Sequence, residues 1–251
     1  SVCSFAETGE EAASASSLLP FCKRVETVRR RHFTPVSVFP YEPFEEFNCP
    51  DFRERLETLL GEEDFDLVHF EWPQMAQYSD LFPGTPRLLT EVEVNYAAHC
   101  TFLPLERNPL RKVWKFYNSL QTFYREVEMC RKVDQVVCVT ANDRNYLRGY
   151  IEEEKLTVVN TGVDTEYFSS NGSYFPEEGS LVFVGAFRHQ PNVDAMIYFC
   201  REIFPLILKE QPQTHLYIVG STPPKQVCEL GSHSRVTVTG YVEDIREFYR
   251  K

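Results

Sequence analysis

Strand-like and helix-like segments alternate along the whole of this 251-residue chain, and no other feature limits its possible folds as strongly. Most of the strand-like segments are short continuous apolar runs, such as residues 181–185, rather than alternating ones. Such runs are typical of parallel strands that are covered on both faces. The order of the segments therefore predicts an α/β fold built from doubly wound parallel sheets.

The individual segments follow from hydrophobic periodicity and from the positions of turn-forming residues. Strands are predicted at residues 25–28, 66–70, 87–90, 135–140, 156–159, 181–185, 215–220 and 235–239, and the chain opens on a strand-like segment. Helices are predicted at residues 10–23, 51–60, 109–131, 142–151 and 193–210.

Turn-forming residues are densest at residues 169–180, directly before the strand at 181–185. We therefore predict a first Rossmann-like domain over residues 1–170, a linker at 171–180 and a second Rossmann-like domain over 181–251. The second domain shows only three strands, and the chain begins with Ser1 and stops in a helix that lacks a C-cap. We expect an excerpt truncated at both ends, with the second domain incomplete.

Composition excludes some partners. A formal net charge of -11 argues against nucleic-acid binding, which depends on a basic surface. Eight cysteines without a Cys-x-x-Cys pair favour reduced thiols, no metal site and a cytoplasmic location. No apolar run approaches the roughly 20 residues of a membrane span. The basic run at residues 29–32 could contact the inner face of a membrane peripherally, although a solvated loop is the alternative.

Three successive predicted strands end in glycine, at Gly185, Gly220 and Gly240. Open α/β sheets bind their ligands at this carboxyl edge of the strands. Arg188 and a helix start follow Gly185, so an anion could bind there. The alternative is that Gly185 only turns the chain, Arg188 is solvated and Asn192 caps the helix. The commonest nucleotide-cofactor, hydrolase and metalloprotease motifs do not occur in the sequence.

The same residues carry a resemblance to a known family. Several segments of the chain resemble family-4 glycosyltransferases of the GT-B fold. They are Val-Val-Asn-Thr-Gly-Val-Asp-Thr-Glu-Tyr-Phe at residues 158–168, Phe-Val-Gly at 183–185 with Pro-Asn-x-Asp-Ala at 191–195, Ile-Val-Gly at 218–220, and the segment at 238–245. In the first domain, the resemblance rests on residues 66–71, 88–95, 124–128 and 136–140.

That resemblance implies two Rossmann-like domains facing across a cleft, with the acceptor on the first and a nucleotide-sugar donor on the second. It implies Gly185 and Arg188 beside the donor diphosphate. Gly220 and the segment Gly240, Tyr241 and Val242 would lie on the nucleotide-base side. Neither a cofactor nor a metal is implied, because basic side chains and a helix N-terminus neutralise the leaving diphosphate.

Two family features are missing from the sequence, namely a glycine-rich loop after the first strand and a late Glu-x₇-Glu motif. The catalytic residues are therefore unknown, and we expect this chain alone to be inactive.

Polar residues at two strand ends of the first domain are candidates for binding acceptor hydroxyls. They are His69, Glu71, Glu91, Glu93 and Asn95. The alternative is that Glu91 and Glu93 form a solvated turn and that His69 is a satisfied imidazole near the core.

Other polar and aromatic groups favour structural roles. Thr140, Asp143 and Arg144 are typical of a helix start, and Arg125 with Glu128 predicts an ion pair along a helix. The aromatic residues Phe116, Tyr117, Phe123 and Tyr124 favour core or interdomain packing.

The leading hypothesis is a retaining, hexosyltransferase-like glycosyltransferase that moves a sugar from a nucleotide-diphosphate donor to an acceptor. The acceptor could be a saccharide, a lipid-linked molecule or a small molecule. Two alternatives remain open: a GT-B-fold sugar-nucleotide epimerase, which needs paired acid and base groups, and a non-catalytic GT-B-like binding module.

Overall fold

The structure is a computed structural model that describes residues 1–30, 42–97, 103–169 and 177–251. The chain divides into two compact units, Ser1–Thr161 and Gly162–Lys251. The division falls ahead of the linker predicted at residues 171–180, of which 171–176 lie outside the described residues.

The first unit contains two parallel sheets. The smaller sheet pairs β1 (Val2–Ala6) with β2 (Val25–Arg29). The larger sheet has four parallel strands in chain order: β3 (Val68–Glu71), β4 (Arg87–Glu91), β5 (Gln135–Cys138) and β6 (Leu156–Val158). Helices of this unit are α1 (Gly9–Ser14), α2 (Pro50–Glu62), α3 (Pro109–Arg131) and α4 (Ala141–Leu147).

Local chemistry sets the ends of these helices. Asn108 caps α3, because its side-chain oxygen accepts from the backbone N–H groups of Leu110 and Arg111 at 3.0 and 3.2 Å. The predicted bounds of α3 are confirmed. The helix predicted at 10–23 is shorter, because the hydroxyls of Ser14 and Ser16 donate back to main-chain carbonyls and the chain continues in a 3₁₀ turn.

The first unit packs around one hydrophobic core between the four-stranded sheet and its helices. Leu89 of β4 and Val136 of β5 are completely buried side by side, as expected of adjacent parallel strands. Further core residues include Phe52, Phe70, Ala76, Tyr78, Val94, Met129, Val133 and Leu147.

The second unit is built on a three-stranded parallel sheet. Its strands, in sheet order, are β7 (Ser180–Val184), β8 (His215–Val219) and β9 (Val236–Gly240). Its helices are α5 (Gln190–Tyr198), α6 (Phe204–Glu210), α7 (Lys225–Cys228) and α8 (Arg246–Tyr249). Its core comprises Phe187, Val193, Met196, Phe204, Leu216, Ile218, Val227 and Val236.

The single helix predicted at residues 193–210 begins earlier and is interrupted. A π-helical turn, Phe199–Ile203, joins α5 to α6. Pro205 follows this turn and has no backbone N–H to continue the hydrogen-bond ladder, which accounts for the local change of helix type.

The predicted fold class, α/β with two Rossmann-like domains of parallel strands, is confirmed. Among the described residues, no helix is both long enough and apolar enough to cross a membrane.

Candidate functional site

The three strand-end glycines of the second unit lie together at one edge of the sheet. Gly185 follows β7 and donates its backbone N–H to the carbonyl of Val219 at 3.0 Å. Gly220 follows β8 and donates to the carbonyl of Gly240 at 3.1 Å. We call Gly185, Gly220 and Gly240 the glycine edge. The sequence prediction that these residues share one edge is therefore supported by their hydrogen bonds.

Each glycine of this edge also has a steric reason to be glycine. A Cβ atom on Gly220 would lie 1.8 Å from the carbonyl oxygen of Gly185, which no side chain could tolerate. Gly240 has a φ angle of 73°, in the left-handed region that favours glycine. A Cβ atom on Gly185 would lie 2.9 Å from the side-chain nitrogen of Asn192. The edge is therefore closely packed at Gly185 and Gly220, whereas no atom lies within 4 Å of the Cβ position of Gly240.

The loop between Gly185 and α5 is held against the sheet by two contacts. Phe187 is buried, and its N–H donates to the carbonyl of Ser221 at 3.2 Å. The side-chain amide of Asn192 donates to the carbonyl of Ala186 at 2.9 Å. Asn192 therefore does not cap the helix, as the alternative interpretation supposed, because α5 already begins at Gln190 without a side-chain cap.

Arg188 is exposed in this anchored loop, beside the glycine edge and the start of α5. On the other side of the edge, Tyr241 is 76% exposed and Val242 is half-buried. A cavity of about 550 Å³ lies beside β9 and is lined by residues 236–240 together with Pro223, Cys228 and Gly231. The donor role of these residues stays a prediction.

The five acceptor-side candidates separate into three groups. His69 and Glu71 form the exposed group at the end of β3. The His69 Nε2 atom lies 2.6 Å from the hydroxyl of Thr90 and 3.4 Å from a carboxylate oxygen of Glu71. Both residues line a cavity of about 640 Å³ that residues of β1 and β3 enclose. His69 is thus hydrogen-bonded but exposed, in contrast to a near-core imidazole.

Glu91 is the opposite case, because its side chain is completely buried. Neither carboxyl oxygen has a hydrogen-bond partner among the described residues. Burial, with the nearby carboxyl groups of Glu126 and Asp143, raises the pKa of Glu91 well above its usual value. The interpretation of Glu91 and Glu93 as a solvated turn is wrong for Glu91, whereas Glu93 is exposed.

Asn95 is bound to a carboxylate that the sequence analysis did not single out. Glu126, in the middle of α3, accepts from the backbone N–H of Asn95 at 2.8 Å and from its side-chain amide at 2.6 Å. It also accepts from the N–H of Tyr96 at 3.4 Å. Burial raises the pKa of Glu126 to about 7, although these hydrogen bonds oppose the shift. The sequence did contain one sign of this buried contact, because Glu126 is a charged residue on the core-facing side of a long helix.

The structural roles predicted for other residues are confirmed in the main. Thr140 caps α4 by accepting from the N–H of Asp143 at 3.1 Å. Arg144 pairs with Glu153 at 2.8 Å.

The ion pair between Arg125 and Glu128 is present. The aromatic residues divide: Phe123 stacks near Tyr96, but Phe116 and Tyr124 are exposed instead of lying in the core.

No group of three or more His, Cys, Asp or Glu residues within the described ranges is arranged to hold a metal ion.

Comparison with family models resolves the class of protein. The model described as Glycosyltransferase Family 4 matches residues 3–167, about two thirds of the chain. The model described as Glycosyl transferases group 1 matches residues 178–251. The chain belongs to glycosyltransferase family 4. A search of curated proteins gives no significant match.

Solved structures share the fold of this family-4 chain at low sequence identity. TarM gives a TM-score of 0.56 at 12% identity, over 79% of this chain and 38% of TarM. Alr3699/HepE of Anabaena, solved in complex with UDP-glucose, gives 0.52 at 13% identity, over 98% of this chain and 70% of HepE. A UDP-GlcNAc 2-epimerase from Neisseria meningitidis gives a TM-score of 0.48 at 15% identity, over 99% of this chain and 74% of the epimerase. The chain therefore spans well under half of TarM.

The two candidate sites fall in the regions matched by different family models. His69, Glu71, Glu93 and Asn95 fall in the Family 4 match, and the glycine edge falls in the group 1 match.

Proposed function

We propose that this family-4 protein transfers a sugar from a nucleotide-diphosphate sugar to an acceptor hydroxyl, with retention at the anomeric carbon. The observation that carries the proposal is that three neighbouring parallel strands end together in Gly185, Gly220 and Gly240, at the carboxyl edge where open α/β sheets bind their ligands. The complex of HepE with UDP-glucose supports a nucleotide sugar as the donor.

The donor diphosphate would lie between the glycine edge and the start of α5. Negative charge grows on the diphosphate as the glycosidic bond breaks, and Arg188 offers a planar cation that matches phosphate oxygens. The start of α5 has no side-chain cap, and the positive end of its dipole would favour the same charge, although Pro191 has no N–H and the N–H of Asn192 donates to the carbonyl of His189 at 3.0 Å. Catalysis would then rest on positioning and electrostatic support, without an enzymic nucleophile, cofactor or metal.

Gly220, Gly240, Tyr241 and Val242 would hold the nucleotide base on the far side of this edge. Backbone groups here are closely spaced because of the two glycines, which suits recognition of a base edge by hydrogen bonds. We expect the protein to discriminate among bases mainly through main-chain groups.

The acceptor would be a saccharide or a lipid-linked molecule bound at the β3 and β4 ends. His69 and Glu71 are exposed beside a cavity and can exchange hydrogen bonds with sugar hydroxyls. Glu93 is exposed as well. Glu91 would serve only indirectly, because it is buried and does not reach the solvent.

A sugar-nucleotide epimerase is the second candidate. The specific observation in its favour is the contact between His69 and Glu71 at 3.4 Å, since an epimerase needs a paired acid and base. The two reactions differ in their products, because an epimerase keeps the nucleotide on the sugar.

The test is product analysis by NMR after incubation with UDP-glucose and a panel of saccharide acceptors. Free UDP with a glycoside of unchanged anomeric configuration would support retaining transfer. An altered sugar still attached to UDP would support the epimerase. Binding without any product is the result expected of a non-catalytic module. Robust transfer by this chain would place the catalytic groups within it.

A further inference from the structure

The first four turns of α3 carry their apolar residues on the outside. Leu110 is 82% exposed, and Val113 and Tyr124 are each 69% exposed. We define the α3 face as the exposed residues Leu110, Val113, Trp114, Phe116, Leu120 and Tyr124. A patch of this kind on a water-soluble surface marks a site of interaction.

The buried side of the same turns is polar. Asn118, Ser119 and Thr122 are buried, while the apolar residues one turn away are exposed. The hydroxyls of Ser119 and Thr122 are satisfied by donating to carbonyls one turn earlier, at 2.8 and 2.9 Å. This is the reverse of the usual amphipathic pattern, in which the apolar stripe faces the core. Packing among the described residues of the first unit therefore gives no reason for the apolar α3 face.

Charge around the α3 face is also segregated. Residues 107–124 contain four basic residues and no acidic residue, in a chain whose net charge is -11. Lys115 pairs with Glu106 at 2.7 Å, and Arg107, Arg111 and Lys112 keep the segment positive. Apolar and aromatic side chains on one side of a helix, with Lys and Arg on the other, are the composition of helices that lie in a membrane interface.

We propose that the first four turns of α3 dock on an anionic lipid surface, with the α3 face in the headgroup region and the basic residues of the opposite side attracted by the negative surface potential. The segment is about 24 Å long and would lie in the membrane plane. A symmetric contact between two copies would bring two positively charged segments close together, which disfavours it. The docking does not depend on the transfer reaction, so its failure would leave the proposed function standing.

The basic run at residues 29–32 is a weaker candidate for the same contact. Arg30 is paired with Glu7 and with Glu46, the latter at 3.6 Å. Arg31 and His32 lie outside the described residues.

The experiment is flotation of the 251-residue chain with vesicles of phosphatidylcholine, with or without phosphatidylglycerol. We expect binding only to the anionic vesicles and release by high salt. The emission of tryptophan should shift to the blue on binding. That shift should disappear in Trp114→Phe and persist in Trp72→Phe, since these are the two tryptophans of the chain.

Two double variants test the two parts of the surface. Arg111→Gln with Lys112→Gln should lower partitioning about 10- to 30-fold, and Leu110→Gln with Val113→Gln by a similar factor. Matched controls lie on helices of the second unit: Lys209→Gln with Lys225→Gln for charge, and Tyr198→Gln with Leu206→Gln for exposed apolar residues. Both control pairs should bind as the unchanged chain does.

Several results would overturn the proposal. One is equal binding to neutral vesicles, and another is equal loss in the control pairs. A third is a lipid-free dimer that the Leu110→Gln and Val113→Gln changes dissolve, which would assign the α3 face to a second copy. Circular dichroism of each variant shows whether a loss of binding reflects a loss of fold.

Discussion

Glu126 in α3 accepts two hydrogen bonds from Asn95, one from the backbone N–H at 2.8 Å and one from the side-chain amide at 2.6 Å. Because Glu126 is completely buried, these bonds form away from water and fix the chain that follows β4 against the helix. The acceptor-side candidate Asn95 is therefore positioned by a residue 31 places away in the sequence.

Replacing Glu126 should destabilise the first unit. Glu126→Ala leaves the two donors of Asn95 without their buried partner and opens a cavity, so we expect a loss of about 2–4 kcal/mol in the free energy of unfolding. Glu126→Gln keeps one acceptor oxygen and should cost less. Urea unfolding followed by circular dichroism measures both.

The control for this change is Glu128→Ala, two residues along the same helix. Glu128 forms half-buried, partly solvated ion pairs with Arg125 and Lys132, so its loss should cost less than that of Glu126, about 1 kcal/mol. Equal effects at positions 126 and 128 would contradict the buried contact.

The buried carboxyl groups of Glu91 and Glu126 make stability depend on pH. Their pKa values are raised by folding, to about 7 for Glu126, so folding favours their protonated forms. The stability they contribute is present below about pH 4.5 and is lost as pH rises through the folded pKa. For Glu126, the loss is on the order of 3 kcal/mol.

Glu91→Gln should therefore flatten this dependence, because the amide resembles the protonated acid. We expect the variant to gain stability over the unchanged chain at about pH 8 and to gain little at about pH 5. Glu93→Gln, at an exposed position, should leave the profile unchanged. An unaltered profile in Glu91→Gln would show that Glu91 ionises normally.

The inward position of Glu91 shows where sequence reasoning failed. Leu89 and Glu91 are two residues apart in β4, so they share a face of the sheet, and both are completely buried. The strand predicted at residues 87–90 stops before Glu91, so the period of two was not applied to this residue, and its charge favoured solvent. Burial was set instead by packing beneath α3, which a local pattern does not contain.

Other elements were accessible from local signals alone. The bounds of α3 follow from the Asn108 cap, and the glycine edge follows from three predicted strands that each end in glycine. Long-range contacts, such as that of Glu126 with Asn95, have no sequence signature of their own. The exposed apolar side of α3 was likewise misread, because aromatic residues at helical spacing usually pack inside.

Gly220 should tolerate no side chain. Gly220→Ala would put a Cβ atom 1.8 Å from the carbonyl oxygen of Gly185, so β7 and β8 would have to separate at their ends. We expect a loss of at least about 3 kcal/mol in the stability of the second unit.

Gly231→Ala is the matched control, because its Cβ atom would make an ordinary contact of 3.5 Å with Val238. Thermal unfolding of the two variants decides the matter. If Gly220→Ala unfolds at the same temperature as Gly231→Ala, Gly220 is not in close contact with the carbonyl oxygen of Gly185.

Arg188→Ala should weaken donor binding without affecting folding. A loop arginine next to a diphosphate contributes about 1–3 kcal/mol, so we expect the Kd for UDP-glucose to rise roughly 5- to 100-fold. Arg144→Ala, which removes an exposed ion pair with Glu153, should leave the Kd unchanged. Titrations of both variants with UDP-glucose give the comparison, and the reverse pattern would move the diphosphate to the first unit.

Binding of the nucleotide sugar at the glycine edge can be checked by mapping the binding site in solution. We would titrate the isotope-labelled chain with UDP-glucose and follow backbone amide signals by NMR, which detects weak binding. We expect the chemical-shift changes to be concentrated at residues 185–192, 220–222 and 240–242. Shifts confined to the ends of β3 and β4, or no shifts at saturating UDP-glucose, would contradict it.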